Sequence, residues 1–191
     1  MGGSVFHAAS SEVGDSGVGW RRGLDAQKRS QEGIGVSYVL YTDGGCAPNP
    51  GPGGWAFVLD RSDGHRFESH GGEADSTNNR MELTAVIRGL ERVLAEEVTD
   101  RPGVKVVADS QYVLKGLTEW MPGWKANGWT RKVSGKRKPV LNRDLWENLD
   151  RLKGQLELDV TWVRGHTGHP ENERCDAMVK LGIREAGGDP A

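Results

Sequence analysis

The chain has 191 residues, 36% hydrophobic and 27% charged, enough for one domain with a buried core. No run approaches the ~18 apolar residues of a membrane span, and the start lacks the basic-then-apolar pattern of a secretory signal, so a cytoplasmic protein away from membranes is expected. A formal net charge of −2 does not by itself announce a nucleic-acid partner. Residues 1–35, rich in Gly, Ser and charge, carry no sustained apolar period and read as a disordered tail. VSYVLY from Val36 is β-branched and aromatic and runs into TDGG, which predicts a buried strand followed by a turn. CAPNPGPGG then reads as a loop, GWAFVLD as a second strand and HRFESHGGEA as a third. Their short connections predict an antiparallel meander.

From residue 77 to 98 the apolar positions Leu83, Val86, Ile87, Leu90, Val93 and Leu94 repeat at helical spacing, with Ser76 or Thr77 available as a cap. VKVVADS predicts a fourth strand, residues 110–122 a helix stopping near Pro122, and residues 142–153 another helix. LDVTWV predicts a fifth strand, and a last helix starts near Pro170, a good first-turn residue, with Glu171 and Glu173 at its positive end. The expected fold class is therefore α/β: a mixed five-stranded sheet, three antiparallel strands and then two parallel, flanked by helices. The domain is expected over 36–187, with residues 188–191 as a C-terminal tail.

Asp43 and Asp109 follow apolar strands at matching positions. On neighbouring parallel strands they would lie side by side at the sheet edge that ligands favour. Glu82 lies early on the long helix, off its apolar stripe, and Asp176 lies about two turns into the last helix. Taken singly, each reads as an ordinary turn or solvated acid. Taken together, four carboxylates from four elements make sense only around cations, and an all-oxygen set suits Mg²⁺, with Mn²⁺ as a possible substitute. Two such ions could clamp the attacking water and leaving oxygen of a phosphodiester. A zinc site from His166, His169 and Cys175 is the weaker alternative, because it offers three ligands at a spacing unlike a finger. The two cysteines, Cys46 and Cys175, read as reduced thiols.

Between Arg131 and Arg143 lie six basic residues, Arg131, Lys132, Lys136, Arg137, Lys138 and Arg143, and no acidic one. A locally basic lobe on a near-neutral chain is what a phosphate-binding handle looks like; a solvated loop is the plain alternative.

The strings DGG-CAPNPGPGGWA, STNNRMEL, ADSQYV and GHTGHPENERCDAMV, in that order, closely resemble the motifs of the type 1 ribonuclease H family, over about Val36 to Gly182. The resemblance implies a ribonuclease H-like fold and an endoribonuclease that hydrolyses the RNA strand of RNA–DNA hybrids to 3′-hydroxyl and 5′-phosphate ends. It implies that Asp43 bridges two ions, that Glu82 and Asp109 hold one, and that Asp176 holds the other. His166, between Gly165 and Gly168, would move protons or help product leave, which suits an imidazole on a mobile loop. Asn49, Asn78, Asn79 and Gln111 would touch the hybrid in its minor groove, while Thr77 and Asn142 would grip a phosphate of the DNA strand. The lobe at about 123–141 resembles the family's basic protrusion, with Trp124, Lys125, Lys136, Arg137 and Lys138 toward the DNA strand. The helical spacing of Trp120 and Trp124 favours packing over base stacking. The resemblance also implies a monomer. The rival classes are a hybrid-binding module without catalysis, which would not need all four acids, and a transposase or integrase nuclease, which would lack the GHPENERCD block and the basic lobe.

Overall fold

The computed structural model of the chain describes residues 37–96, 101–165 and 168–190; the tail expected at 1–35 and His166 lie outside them. Three strands open the fold, β1 (Tyr38–Cys46), β2 (Gly51–Arg61) and β3 (Arg66–Ser76), and the long helix α1 (Asn78–Leu94) follows. Then come β4 (Gly103–Ala108), the short helices α2 (Gln111–Lys115) and α3 (Met121–Ala126), and β5 (Thr130–Val133) and β6 (Lys136–Pro139). Helix α4 (Arg143–Lys153), strand β7 (Glu157–Trp162) and helix α5 (Pro170–Glu185) complete it.

The main sheet has the order β3-β2-β1-β4-β7. β1–β2 and β2–β3 are antiparallel, β1–β4 and β4–β7 parallel. This is the expected mixed five-stranded sheet. Its larger core lies on one face, where Leu83, Val86 and Leu90 of α1 and Trp146 and Leu149 of α4 pack on Leu40, Phe57 and Leu59. On the other face α5 sets Cys175, Met178, Val179 and Ile183 against Ala56 and Val58. Each large apolar side chain taken out of water in this way contributes about 1.5–3 kcal/mol.

Two close approaches fix how the helices meet the sheet. A Cβ on Gly44 of β1 would sit inside the van der Waals shell of the Met81–Glu82 peptide, 2.7 Å from the Met81 carbonyl oxygen and nearer still to its carbon. Gly182 likewise lets α5 rest on the backbones of Gly71 and Gly54.

Three local expectations are corrected, and one feature is added. β1 does not stop at a turn after Asp43 but runs on to Cys46, because β2 supplies an antiparallel partner, Asp43 to Cys46 pairing with Ala56 to Gly53. Pairing likewise draws Gly51–Gly53 into β2 rather than a loop, Gly53 against Cys46 of β1 and Gly51 against Ser76 of β3, with an irregularity in the β3 pairing between Gly51 and Gly53. The helix expected to stop near Pro122 instead widens into a π-helical turn over Gly116–Trp120, and α3 begins there with Pro122 in its first turn, where its missing N–H costs nothing. The basic lobe contains a hairpin. Ser134 (φ 50°) and Gly135 (φ 76°) both take the left-handed conformation that a two-residue connection between β5 and β6 requires.

Candidate active site

The parallel register places Thr42 of β1 opposite Ala108 of β4. The next residue on each strand is the aspartate, so Asp43 and Asp109 stand side by side at the sheet edge. The Gly44 contact brings the first turns of α1 onto the same edge, and Glu82 with them. One carboxylate oxygen from each of Asp43, Glu82 and Asp109 lies within 4.8 Å of the others. The three acids line a cleft of about 350 Å³ together with Asp176, Lys180 and Asn78. Asp176 stands outside the three-acid group, across from Lys180, whose Nζ is 3.5 Å from its Oδ2.

Each carboxylate has a different environment. The Gly44 N–H donates to Asp43 Oδ1 at 2.8 Å. Asp109 is held twice: the Trp162 indole N–H donates to its backbone carbonyl at 2.9 Å, and the Asn172 amide donates to its Oδ2 at 3.4 Å. Glu82 Oε2 is shielded from solvent and has no hydrogen-bond partner. Burial, and then the like charges of Asp43 and Asp109, push the Glu82 carboxyl well above the usual carboxylate range. A buried, unpartnered oxygen between two anions is a costly arrangement that a cation relieves. The all-oxygen donor set fits Mg²⁺ or Mn²⁺, and Asp43, Glu82 and Asp109 are the residues that would hold the ion.

Of the other residues singled out in the sequence, Asn78 lines the same cleft and the rest that are described lie on or just before α1, on α2, at the start of α4 and on the protrusion, or, like Asn49, in the loop before β2. Asn78 and Asn49 interlock: Asn49 Oδ1 accepts from the Asn78 N–H at 3.2 Å, and Asn78 Oδ1 accepts from the Cys46 N–H at 2.8 Å. Asn79 is exposed on the first turn of α1, and Gln111 is exposed at the start of α2. Thr77 precedes α1 but makes no side-chain cap bond. Asn142 precedes α4 in a left-handed backbone, also without capping it, and its Nδ2–H donates to the Tyr112 hydroxyl at 3.3 Å. In the protrusion Trp124 packs on Trp120 and Trp146 at centroid distances of 5.6 and 5.4 Å. Lys125 pairs with Asp150 at 2.8 Å, and Arg137 donates to Asn127 and Thr130. Lys136 and Lys138 are exposed on β6.

Two contributors were not singled out in the sequence. Asn172 sits within the GHPENERCD string, but an asparagine on a helix carries no signal of its own, and its approach to Asp109 is a tertiary fact. The indole of Trp162 lay unnoticed in an ordinary strand pattern.

Neither thiol is poised for chemistry. Cys175 is buried with its thiol toward the Tyr41 carbonyl, and desolvation pushes it up to about 12; desolvation pushes Cys46 up to about 11. A raised thiol pKa means less thiolate at a given pH. At pH 8 Cys46 should therefore react with a disulfide reagent roughly a hundredfold more slowly than a free cysteine, and Cys175 should react only on unfolding. Absorbance-monitored thiol titration of the native and denatured protein checks this.

The comparisons with known proteins agree with this geometry. The RNase H family model matches residues 36–184. A ribonuclease H from Halorhodospira halophila is 53% identical over 146 residues, covering 76% of this chain and 91% of that protein. One from Alkalilimnicola ehrlichii is 55% identical over 146 residues, covering 76% and 93%. Among solved structures, LC9-RNase H1, described as a type 1 RNase H with the type 2 active-site motif, superposes with a TM-score of 0.66 at 30% identity, covering 82% of this chain and 74% of that one. LC11-RNase H1 in complex with RNA/DNA hybrid superposes with a TM-score of 0.59 at 26% identity, covering 78% and 99%. The chain belongs to the ribonuclease H family of nucleases.

Proposed function

We propose that the protein is a metal-dependent endoribonuclease that hydrolyses the RNA strand of RNA–DNA hybrids, leaving 3′-hydroxyl and 5′-phosphate ends. The observation that carries this reading is the cage of Asp43, Glu82 and Asp109, three carboxylates on three elements with a buried, unpartnered oxygen among them. Two divalent cations, Mg²⁺ or Mn²⁺, would supply the positive charge that offsets charge developing on the phosphate and its two in-line oxygens. Asp43 would serve both ions, Glu82 and Asp109 one of them, and Asp176 the other. Glu82 also orients the attacking water, and His166 carries a proton away or helps product leave.

Selection of the hybrid rests on the amides. A 2′-hydroxyl both donates and accepts, and Asn49, Asn78, Asn79 and Gln111 offer donors and an acceptor each. Asn49 and Asn78 each accept one internal bond on the amide oxygen, which leaves their NH₂ groups as donors, and the oxygen's second lone pair as an acceptor, for an incoming strand. Thr77 and Asn142 grip a DNA-strand phosphate. Trp124, Lys125, Lys136, Arg137 and Lys138 carry the DNA strand along the protrusion, adding salt-sensitive affinity rather than sequence choice.

The test is an incubation with labelled RNA–DNA hybrid, duplex DNA and duplex RNA, each with Mg²⁺ or EDTA. Cleavage confined to the RNA of the hybrid and lost in EDTA is expected. Cleavage of duplex DNA, or cleavage that survives EDTA, would overturn the reading.

A further inference from the structure

Two helices begin against the ordinary rules for helix starts. At α1, Thr77 occupies the cap position but its hydroxyl does not bond the helix, and the first turn holds no acid. Arg80 sits there instead, a cation at the positive end of the macrodipole. At α4, Asn142 takes a left-handed backbone (φ 55°, ψ 36°) and likewise leaves its helix uncapped. Such departures cluster where function outweighs local propensity.

One interaction joins the two starts. Arg80 forks onto Asp144, NH1 to Oδ1 at 3.2 Å and NH2 to Oδ2 at 3.0 Å. Asp144 lies in the first turn of α4, two residues after Asn142, and Arg80 lies three residues after Thr77. The pair is partly exposed, 32% at Arg80 and 62% at Asp144, so little fold stability is at stake. What a bidentate arginine–carboxylate fork does fix is relative position. From the other side, the Tyr112 hydroxyl accepts from Asn142 at 3.3 Å and from the buried Trp146 indole at 3.0 Å, tying the start of α4 to the core.

We propose that Arg80 and Asp144 are positioning residues. Their fork holds the starts of α1 and α4 at the spacing at which Thr77 and Asn142 close on the same DNA-strand phosphate. This rests on the reading above that these two residues grip that phosphate. Neither Arg80 nor Asp144 touches the reacting atoms, so the pair acts on substrate binding and not on the chemical step.

The experiment uses the full chain and a set of RNA–DNA hybrids, each with one DNA-strand phosphate replaced by an uncharged methylphosphonate. Steady-state constants are measured for the wild type, Thr77→Ala, Arg80→Ala and Asp144→Asn. In the wild type one DNA position should raise KM on the order of tenfold when neutralised, with kcat within about twofold. Thr77→Ala should lose that sensitivity; Arg80→Ala and Asp144→Asn should lose it too, and these two positioning variants should keep kcat on the unmodified hybrid within about twofold of wild type. If Thr77→Ala keeps the wild-type sensitivity, the phosphate grip itself is wrong and the clamp falls with it. If Thr77→Ala loses it but Asp144→Asn keeps it in full, the grip stands and the clamp is overturned. Asp144→Asn preserves an acceptor at an exposed site, so it decides the matter even if Arg80→Ala folds poorly.

Discussion

Replacing Asp43 by Asn should abolish cleavage of the hybrid while making the metal-free protein more stable. Activity should fall by at least about three orders of magnitude, because the residue proposed to serve both ions loses its charge. The stability gain has a separate cause. Glu82 is held above its ordinary value of 4.5 by burial and then by Asp43 and Asp109. An acid whose folded pKa is raised contributes nothing below its unfolded value; its cost to stability grows as pH rises from the unfolded to the folded value and is complete above it. This contribution should therefore make the metal-free wild type more stable on acidification from neutral pH toward the ordinary glutamate value of 4.5. Asp43→Asn removes one of the repelling charges, and should raise neutral-pH stability by on the order of 1 kcal/mol, a few degrees in Tm. Thermal melts in EDTA between pH 5 and 8, beside single-turnover assays in Mg²⁺, check both halves. Full activity in Asp43→Asn would sink the proposed mechanism; a lower Tm would show that the cage is not strained without metal.

Gly44→Ala should damage the fold and the site together. The added methyl would meet the Met81–Glu82 peptide, which is backbone inside a seventeen-residue helix and cannot swing aside as a side chain would. Either α1 lifts from β1 or the two elements fail to dock, at a cost of about 3 kcal/mol or more. Lifting α1 also carries Glu82 away from Asp43 and Asp109, so surviving protein should lose most of its activity and much of its metal affinity. Urea unfolding and Mg²⁺ titration of the melting temperature measure the two effects. A variant with wild-type stability and metal response would show that the strand–helix contact is looser than described.

Much of this architecture was legible in the sequence because it rests on local periodicity. The apolar stripe of α1, the alternation of β1 and β4 and the proline start of α5 are each dictated by a handful of neighbouring residues. The pairing of Asp43 with Asp109 was legible too, since both end apolar runs at equal depth and parallel neighbours align such ends. Less legible was whatever a distant partner decides. Gly44 to Cys46 look like a turn until β2 pairs with them. Gly53 looks unstructured until its lack of a side chain is needed beneath Met81 of α1, as that of Gly54 is beneath the backbone of α5. Pro122 reads as a stop when it is in fact a start, because the turn before it is wider than an α-helix. The hairpin's Ser134–Gly135 signal was present but lay among charged residues with no apolar alternation to announce strands. Asn172 was visible only inside a recognised string, since nothing local ties it to Asp109.

The wide turn at Gly116–Trp120 has an effect on the protrusion that concerns direction rather than contact. A π-helical turn holds one residue more than an α-helical one, and each residue advances a helix by about 100° about its axis. Removing a single residue there would turn α3 and the β5–β6 hairpin that follows it by up to about that angle, while α4, β7 and α5 stay held by the core and the sheet, and Lys136 and Lys138 would point elsewhere. The hairpin's own tip at Ser134–Gly135 carries no such leverage: lengthening it extends the arm without turning it. The reach of the basic arm and its bearing are thus set at separate places in the chain, and variation in one leaves the other untouched.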